Sequence, residues 1–108
     1  MTSTNSYAKV LHASQSDFDQ VVLQSGVPVL VDFYADWCGP CRAMSPVLDQ
    51  LASAVPEAKV VKVNVDENPD LATRYRINAI PSLVAFRNGQ VSARHTGMAN
   101  LEQLRSLL

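Results

Sequence analysis

Val29-Leu30-Val31-Asp32-Phe33-Tyr34-Ala35-Asp36-Trp37-Cys38-Gly39-Pro40-Cys41 is the stretch whose reading decides the fold. Its first seven residues are apolar on both faces of an extended chain, apart from one carboxylate. Such a run reads as a central strand covered on both sides. Asp36 to Cys41 then reads as a turn, and the turn opens a helix. Cys41, Met44, Leu48 and Leu51 follow at spacings of three and four and share one helical face. Pro40 falls in the first turn, where its missing N–H costs little. Pro46 lies inside the helical pattern and predicts a kink.

Outward from this centre the chain alternates. Lys9 to His12 fits a short edge strand. Ser16 offers an N-cap with Asp19 three residues on, and Phe18, Val21 and Val22 follow at helical spacing until Gly26 stops them. Downstream, Lys59 to Val65 reads as a strand, Asp66 to Pro69 breaks it, and Pro69 to Tyr75 fits a short helix. Ser82 to Phe86 is a further strand. Asn88-Gly89 is a two-residue hairpin signal, so Gln90 to Thr96 should return antiparallel. Asn100 to Leu108 closes the chain as an amphipathic helix with Leu101, Leu104 and Leu108 on one face. The order β-α-β-α-β-α-β-β-α favours parallel pairing in its first half through crossovers. The predicted class is α/β: a mixed central sheet of about five strands flanked by about four helices, on both faces.

With 108 residues, 47% hydrophobic and 18% charged, the chain suits a single domain over 1–108, with 1–7 as a polar extension. Roughly two-thirds of the unfolded surface is buried at this length, so no covalent staple is needed. The formal net charge is -1 and the basic residues are scattered, which points away from nucleic acid or a polybasic membrane surface. Met1 to Tyr7 lacks the apolar core of a signal peptide. No apolar run approaches the ~18 residues of a membrane span. A cytoplasmic monomer is the simplest expectation.

The two cysteines, Cys38 and Cys41, are too few for a disulfide framework. A structural zinc site needs four ligands, and His12 and His95 are the only histidines and form no pair with metal-ligand spacing. What remains is a pair of inert structural cysteines or a redox dithiol. Thiol–disulfide exchange needs a thiolate nucleophile and a second thiol to release the mixed disulfide. A Cys-x-x-Cys placed after a buried strand and at a helix start supplies both. Cys38 sits near the N-cap, where free N–H groups and the positive helix end favour an anion. Cys41 lies one turn inside, placed to resolve the mixed disulfide. No bound cofactor is required, because the electrons reside in the two sulfurs.

Trp37-Cys38-Gly39-Pro40-Cys41 resembles the active-site signature of the thioredoxin family. Val31-Asp32-Phe33, Pro46, Asn64-Val65-Asp66, Ile80-Pro81-Ser82, Asn88-Gly89 and Gly97 also stand where that family's pattern places such residues. The resemblance covers roughly residues 8 to 108. It implies the thioredoxin fold and a general protein-disulfide reductase, acting on disulfide-containing substrate proteins. A thioredoxin reductase, flavin- or ferredoxin-dependent, would restore the dithiol.

The resemblance also implies roles for single residues. A carboxylate at Asp32 is costly unless protonated or paired; it is either a satisfied core group or the proton acceptor for Cys41. Lys62 matches the lysine often found near that aspartate, although from the sequence alone it is equally a solvated strand residue. Pro81 corresponds to a cis proline facing the cysteines, with Ile80 offering backbone groups to an extended substrate segment. Trp37, Gly39, Pro40, Ile80, Pro81, Gly97 and Met98 are expected to form a flat apolar patch for docking proteins. Tyr34, Arg42 and Ala79 stand where Trp, Lys and Gly are commoner. Two rivals stay open: an oxidase or isomerase of an oxidising compartment, and a binding module that does not turn over.

Overall fold

In a computed structural model the central run becomes β2 (Val29–Tyr34), with Val29 through Phe33 buried. The structure describes residues 9–108, so the polar extension 1–7 lies outside the described residues. The remaining strands are β1 (Val10–His12), β3 (Lys59–Asn64), β4 (Ser82–Arg87) and β5 (Gln90–Thr96). They form one five-stranded sheet in the order β1-β3-β2-β4-β5. β1 and β2 each run parallel to β3, whereas β4 runs antiparallel to β2 and β5 to β4. β2 thus lies at the middle, as its two-sided hydrophobicity requires.

Alternation along β2 divides the interior into two layers. Val29, Val31 and Phe33 face one side and pack with Phe18, Val22, Val61, Val63, Leu71 and Phe86. Leu30 faces the other and packs with Met44, Leu48 and Leu51 of α1 (Gly39–Ala54) and Leu104 of α3 (Leu101–Leu107). Asp32, two residues beyond Leu30, shares the α1 side. That alternation brings the carboxylate beneath the helix that carries the cysteines. α1 is continuous across Pro46 and buries Cys41, Met44, Leu48, Leu51 and Ala52.

The ends of the elements show which local signals prevailed. Asn100 begins α3 with a reciprocal capping box: its Oδ1 accepts the Gln103 N–H at 2.8 Å and Gln103 Oε1 accepts the Asn100 N–H at 2.8 Å. Such a cap contributes about 1 kcal/mol. The β4–β5 turn has Asn88 at φ 52° and Gly89 at φ 78°, the twist a two-residue hairpin needs. α2 (Pro69–Arg74) ends with Arg76 at φ 56°. Ile77 N–H donates to Ala72 O at 2.8 Å and Arg76 N–H to Thr73 O at 3.1 Å, closing the helix as a left-handed cap normally built with glycine.

The segment after β1 departs from expectation. Asp19–Leu23 is a π-helical turn whose N-cap is Phe18, with no side-chain cap. Ser16 does not cap it: Ser16 Oγ meets Ser14 Oγ at 2.8 Å. Asp17 instead folds back, and its Oδ1 accepts the Ser14 N–H at 2.7 Å. Burial explains the change. The Phe18 ring packs against Tyr75 and Phe86 at centroid distances of 5.5 and 5.8 Å, and Val22 is buried beside it. Docking these two side chains outweighs the cap signal, and the Gln24 N–H reaches back five residues to Asp19 O at 2.8 Å.

Candidate active site

α1 starts where β2 delivers the chain to the end of the sheet. Cys38 is the N-cap residue of α1, in an extended conformation (φ -84°, ψ 110°). Its Sγ accepts the N–H of Cys41 at 3.2 Å. Cys38 and Cys41 are joined as a disulfide, with their Cα atoms 5.2 Å apart. Pro40 occupies the first turn, so one N–H that would find no helical partner is absent from the start. Cys38 is 5% exposed and Cys41 1%. Both pack with Ala35, Tyr34, Val65 and Ile80.

The segment before β4 closes over the disulfide. The Ile80–Pro81 peptide is cis, as the resemblance implies. It places the Ile80 carbonyl oxygen 3.9 Å from Cys38 Sγ. The Pro81 carbonyl accepts the Gly97 N–H at 2.8 Å, which brings the end of β5 to the same place. Gly97 has φ 96°, a backbone conformation that side chains rarely adopt, while a Cβ there would meet nothing within 4 Å. It is the backbone angle and not crowding that favours glycine.

The expected docking patch is divided by the structure. Trp37 is 69% exposed, and its indole N–H donates to Asp66 Oδ2 at 2.9 Å, which pins the ring beside the disulfide. Trp37 and Ile80 line one groove of about 360 Å³ with Val65, Pro69, Ala72 and Ile77. Gly39, Pro40 and Met98 are exposed but do not line that groove, and Pro81 is buried. Met98 is 51% exposed, and its carbonyl lies 3.0 Å from His95 Nε2. Ala79, a departure from the family pattern, also lines the groove.

On the α1 side of β2 lies the buried carboxylate. Asp32 is fully buried, and neither of its oxygens has a hydrogen-bond partner. Burial pushes its carboxyl from 3.8 up to about 7, with the Lys62 charge pulling the opposite way. Asp32 and Lys62 are register partners across β2 and β3. The Lys62 ammonium donates to Ser45 Oγ at 3.1 Å and sits 4.3 Å from the centroid of the Tyr34 ring. A cavity of about 200 Å³, lined by Tyr34, Asp36, Cys41, Arg42, Ser45 and Lys62, brings the lysine and its two holders to the same open space as Cys41. Its size and polar lining admit water. At its rim Arg42 is fixed by donating to the Asp36 carbonyl at 2.7 Å.

Three residues here escaped the reading of the sequence as parts of the site. Asp66 anchors Trp37, Tyr34 lies under the lysine, and Ser45 holds the lysine. Ser45 had a signal: it lies four residues after Cys41, on the next turn of the same face. Among the described residues no cluster of side chains could hold a metal ion. None of the described helices is long and apolar enough to cross a membrane.

Comparison with known proteins gives a consistent result. The thioredoxin family model matches residues 9–108. Thioredoxin of Haemophilus influenzae is 41% identical over 102 residues, covering 94% of this chain and 95% of that protein. Thioredoxin 1 of a Nostoc species is 55% identical over 78 residues, covering 71% of this chain and 73% of that protein. A solved structure of a variant thioredoxin from Halobacterium salinarum superposes with a TM-score of 0.85 at 37% identity, covering 94% of this chain and 88% of that one.

Proposed function

This chain belongs to the thioredoxin family and is a thiol–disulfide oxidoreductase, and from that premise we propose that it is a general protein-disulfide reductase re-reduced by a thioredoxin reductase. Its redox group is the Cys38–Cys41 pair itself, and the family needs no further cofactor. We read residues 1–108 as one domain. A monomer in the cytoplasm suits work in the reducing direction.

The proposed cycle begins with the dithiol. The Cys38 thiolate attacks one sulfur of a substrate disulfide, forming a mixed disulfide and releasing the other sulfur as a thiolate. Cys41 then gives its proton to the Asp32 carboxylate, directly or through water in the adjoining cavity. The Cys41 thiolate attacks Cys38 Sγ, the Cys38–Cys41 disulfide forms, and the second substrate sulfur leaves. Two electrons pass to the substrate in all; Asp32 gives the Cys41 proton on to the departing thiolate or to solvent, and solvent supplies the second proton that the substrate thiols need. The reductase runs the same steps backwards on the protein's own disulfide.

The carrying observation is Cys38 at the N-terminus of α1, bonded to Cys41 and packed against Ile80, which with Trp37 lines an apolar groove. The N-terminal position supports Cys38 as nucleophile, since N–H groups and the helix end stabilise a thiolate. The groove supports docking of an extended segment along Trp37 and Ile80, and the Gly97 N–H to Pro81 carbonyl hydrogen bond supports a part for both in holding the Ile80 segment beside it. A carboxyl moved up to about 7 supports Asp32 as acceptor, since such a group both takes and returns a proton near neutrality. Lys62 supports that role through its charge.

Equilibration against glutathione redox buffers tests the direction. In a buffer that leaves glutaredoxin-type couples half reduced, a reductase pair gives up its electrons and stands mostly as disulfide. A pair standing mostly as dithiol in that buffer marks an oxidase or isomerase instead. Full function of Cys41→Ser in every assay would mark a binding module.

A further inference from the structure

Three cavities meet at Lys62. One, of about 550 Å³, runs along the β1 edge past Lys9, His12 and Asp49. A second, of about 210 Å³, lies towards Asp17 and Glu67. The third is the cavity of about 200 Å³ that reaches Cys41 between Asp36 and Arg42. An ammonium on a flexible four-carbon stem, with open space on several sides, samples many positions unless something holds it. Here two groups hold it. Ser45 Oγ accepts from Nζ at 3.1 Å, and the Tyr34 ring lies 4.3 Å below it. Both holders belong to elements that carry the reacting groups: Ser45 lies one turn beyond Cys41 on α1, and Tyr34 two residues beyond Asp32 on the same face of β2.

We propose that Ser45 is a positioning residue: with the Tyr34 ring it fixes the Lys62 ammonium beside the Cys41 cavity and thereby sets how readily Asp32 accepts a proton. The proposal rests on Asp32 as the proton acceptor and adds the residue that tunes it.

The other charged groups around Lys62 act weakly on the carboxylate. His12 is its register partner on β1, on the side away from Asp32. Lys9, His12, Asp36, Arg42, Asp49 and Glu67 are exposed, so solvent screens them. Asp17 is engaged with the N–H and hydroxyl of Ser14. Lys62 is the neighbour whose charge bears on Asp32. Its own position is therefore the adjustable variable.

Direction follows from solvation. With the Ser45 hydroxyl removed, the ammonium has one fewer acceptor inside the fold. Moving inward would take it further from water at a large cost, so it moves outward into the open cavities. A more distant cation stabilises the carboxylate less, and Asp32 keeps its proton to higher pH. A retreat of a few ångströms at protein-surface screening shifts the midpoint by about half a pH unit, a roughly threefold rise in proton affinity.

The test is the carboxyl ¹³C resonance of Asp32, followed against pH in the oxidised protein, where neither cysteine titrates. Ser45→Ala should raise the midpoint by about half a unit. Ser45→Thr, which keeps a hydroxyl, should stay near wild type. In a Lys62→Met background Ser45→Ala should change nothing. An unmoved or lowered midpoint in Ser45→Ala overturns the proposal, as does an equal rise in the Lys62→Met background. The rate of mixed-disulfide resolution at pH 6 separates the two layers of the account. A raised midpoint with an unchanged rate leaves Ser45 as the positioning residue and removes Asp32 as acceptor.

Discussion

Replacing Asp32 by Asn should stabilise the folded protein at neutral pH, by an amount that shrinks as the pH falls. Asp32 is fully buried with both oxygens unpartnered, and its carboxyl is moved from 3.8 to about 7. Between these values the folded protein holds a proton that the unfolded chain has released. Unfolding then releases protons, so rising pH favours the unfolded state. The group's favourable contribution is complete below the unfolded value and is lost as pH rises through the folded one. A shift of about three units at about 1.4 kcal/mol each sets a ceiling of about 4 kcal/mol on that loss. Relaxation of the structure around the charged carboxylate lowers it, so a change of about 2–4 kcal/mol between pH 4 and pH 8 is expected. Asn carries no titrating group, and its amide stands where an equally unpartnered neutral acid stood, so it adds a small constant offset that moves the curve without tilting it. Guanidinium melts of both proteins, disulfide intact, every half unit from pH 4 to pH 8 give the two curves. Groups common to both cancel in the difference. Parallel curves, or a wild type that gains on the mutant as pH rises, would refute the reasoning and make Asp32 a satisfied structural carboxylate.

Three further outcomes follow from the same geometry. Iodoacetamide near neutral pH should label Cys38 before Cys41 in the reduced protein, because Cys38 is the helix N-cap and the more exposed of the two; peptide mass spectrometry at short times reads the order, and earlier labelling of Cys41 reverses the roles. Cys41→Ser should accumulate covalent complexes with disulfide-containing proteins that reducing agent releases, and gels run without reductant should show them. Gly89→Ala should destabilise by about 1–3 kcal/mol, since φ is 78° and the new Cβ would lie 2.9 Å from the Leu23 carbonyl oxygen; an unchanged denaturation midpoint would contradict the account of the hairpin.

The chemistry was legible in the sequence because it sits where local and global signals agree. The two-sided apolar run of β2, the turn and the Cys-x-x-Cys at a helix start all point to one arrangement, and Asn88-Gly89 fixed the last strand pair. Strand alternation alone places Asp32 under α1. The first helical turn was less legible, because the Ser16 cap signal competed with burial of Phe18 and Val22, and burial depends on Tyr75 and Phe86 far along the chain. Arg76 in a left-handed cap position has no sequence cue, since the usual glycine is missing. The Ser45–Lys62–Tyr34 arrangement joins three elements through one side-chain hydrogen bond and one ring contact, which no single-strand or single-helix pattern encodes.

The central claim is that one Cys38–Cys41 dithiol delivers two electrons to a protein disulfide through a Cys38 adduct. A single-turnover reaction tests it most directly: pre-reduced protein is mixed with excess insulin, no other reductant is present, and the products are counted by mass spectrometry after acid quench and thiol alkylation. The account predicts two new substrate thiols for each chain that gains the Cys38–Cys41 disulfide, with an early adduct linked through Cys38 alone. Adducts linked through Cys41, or substrate reduction in a Cys38→Ser protein, would contradict it.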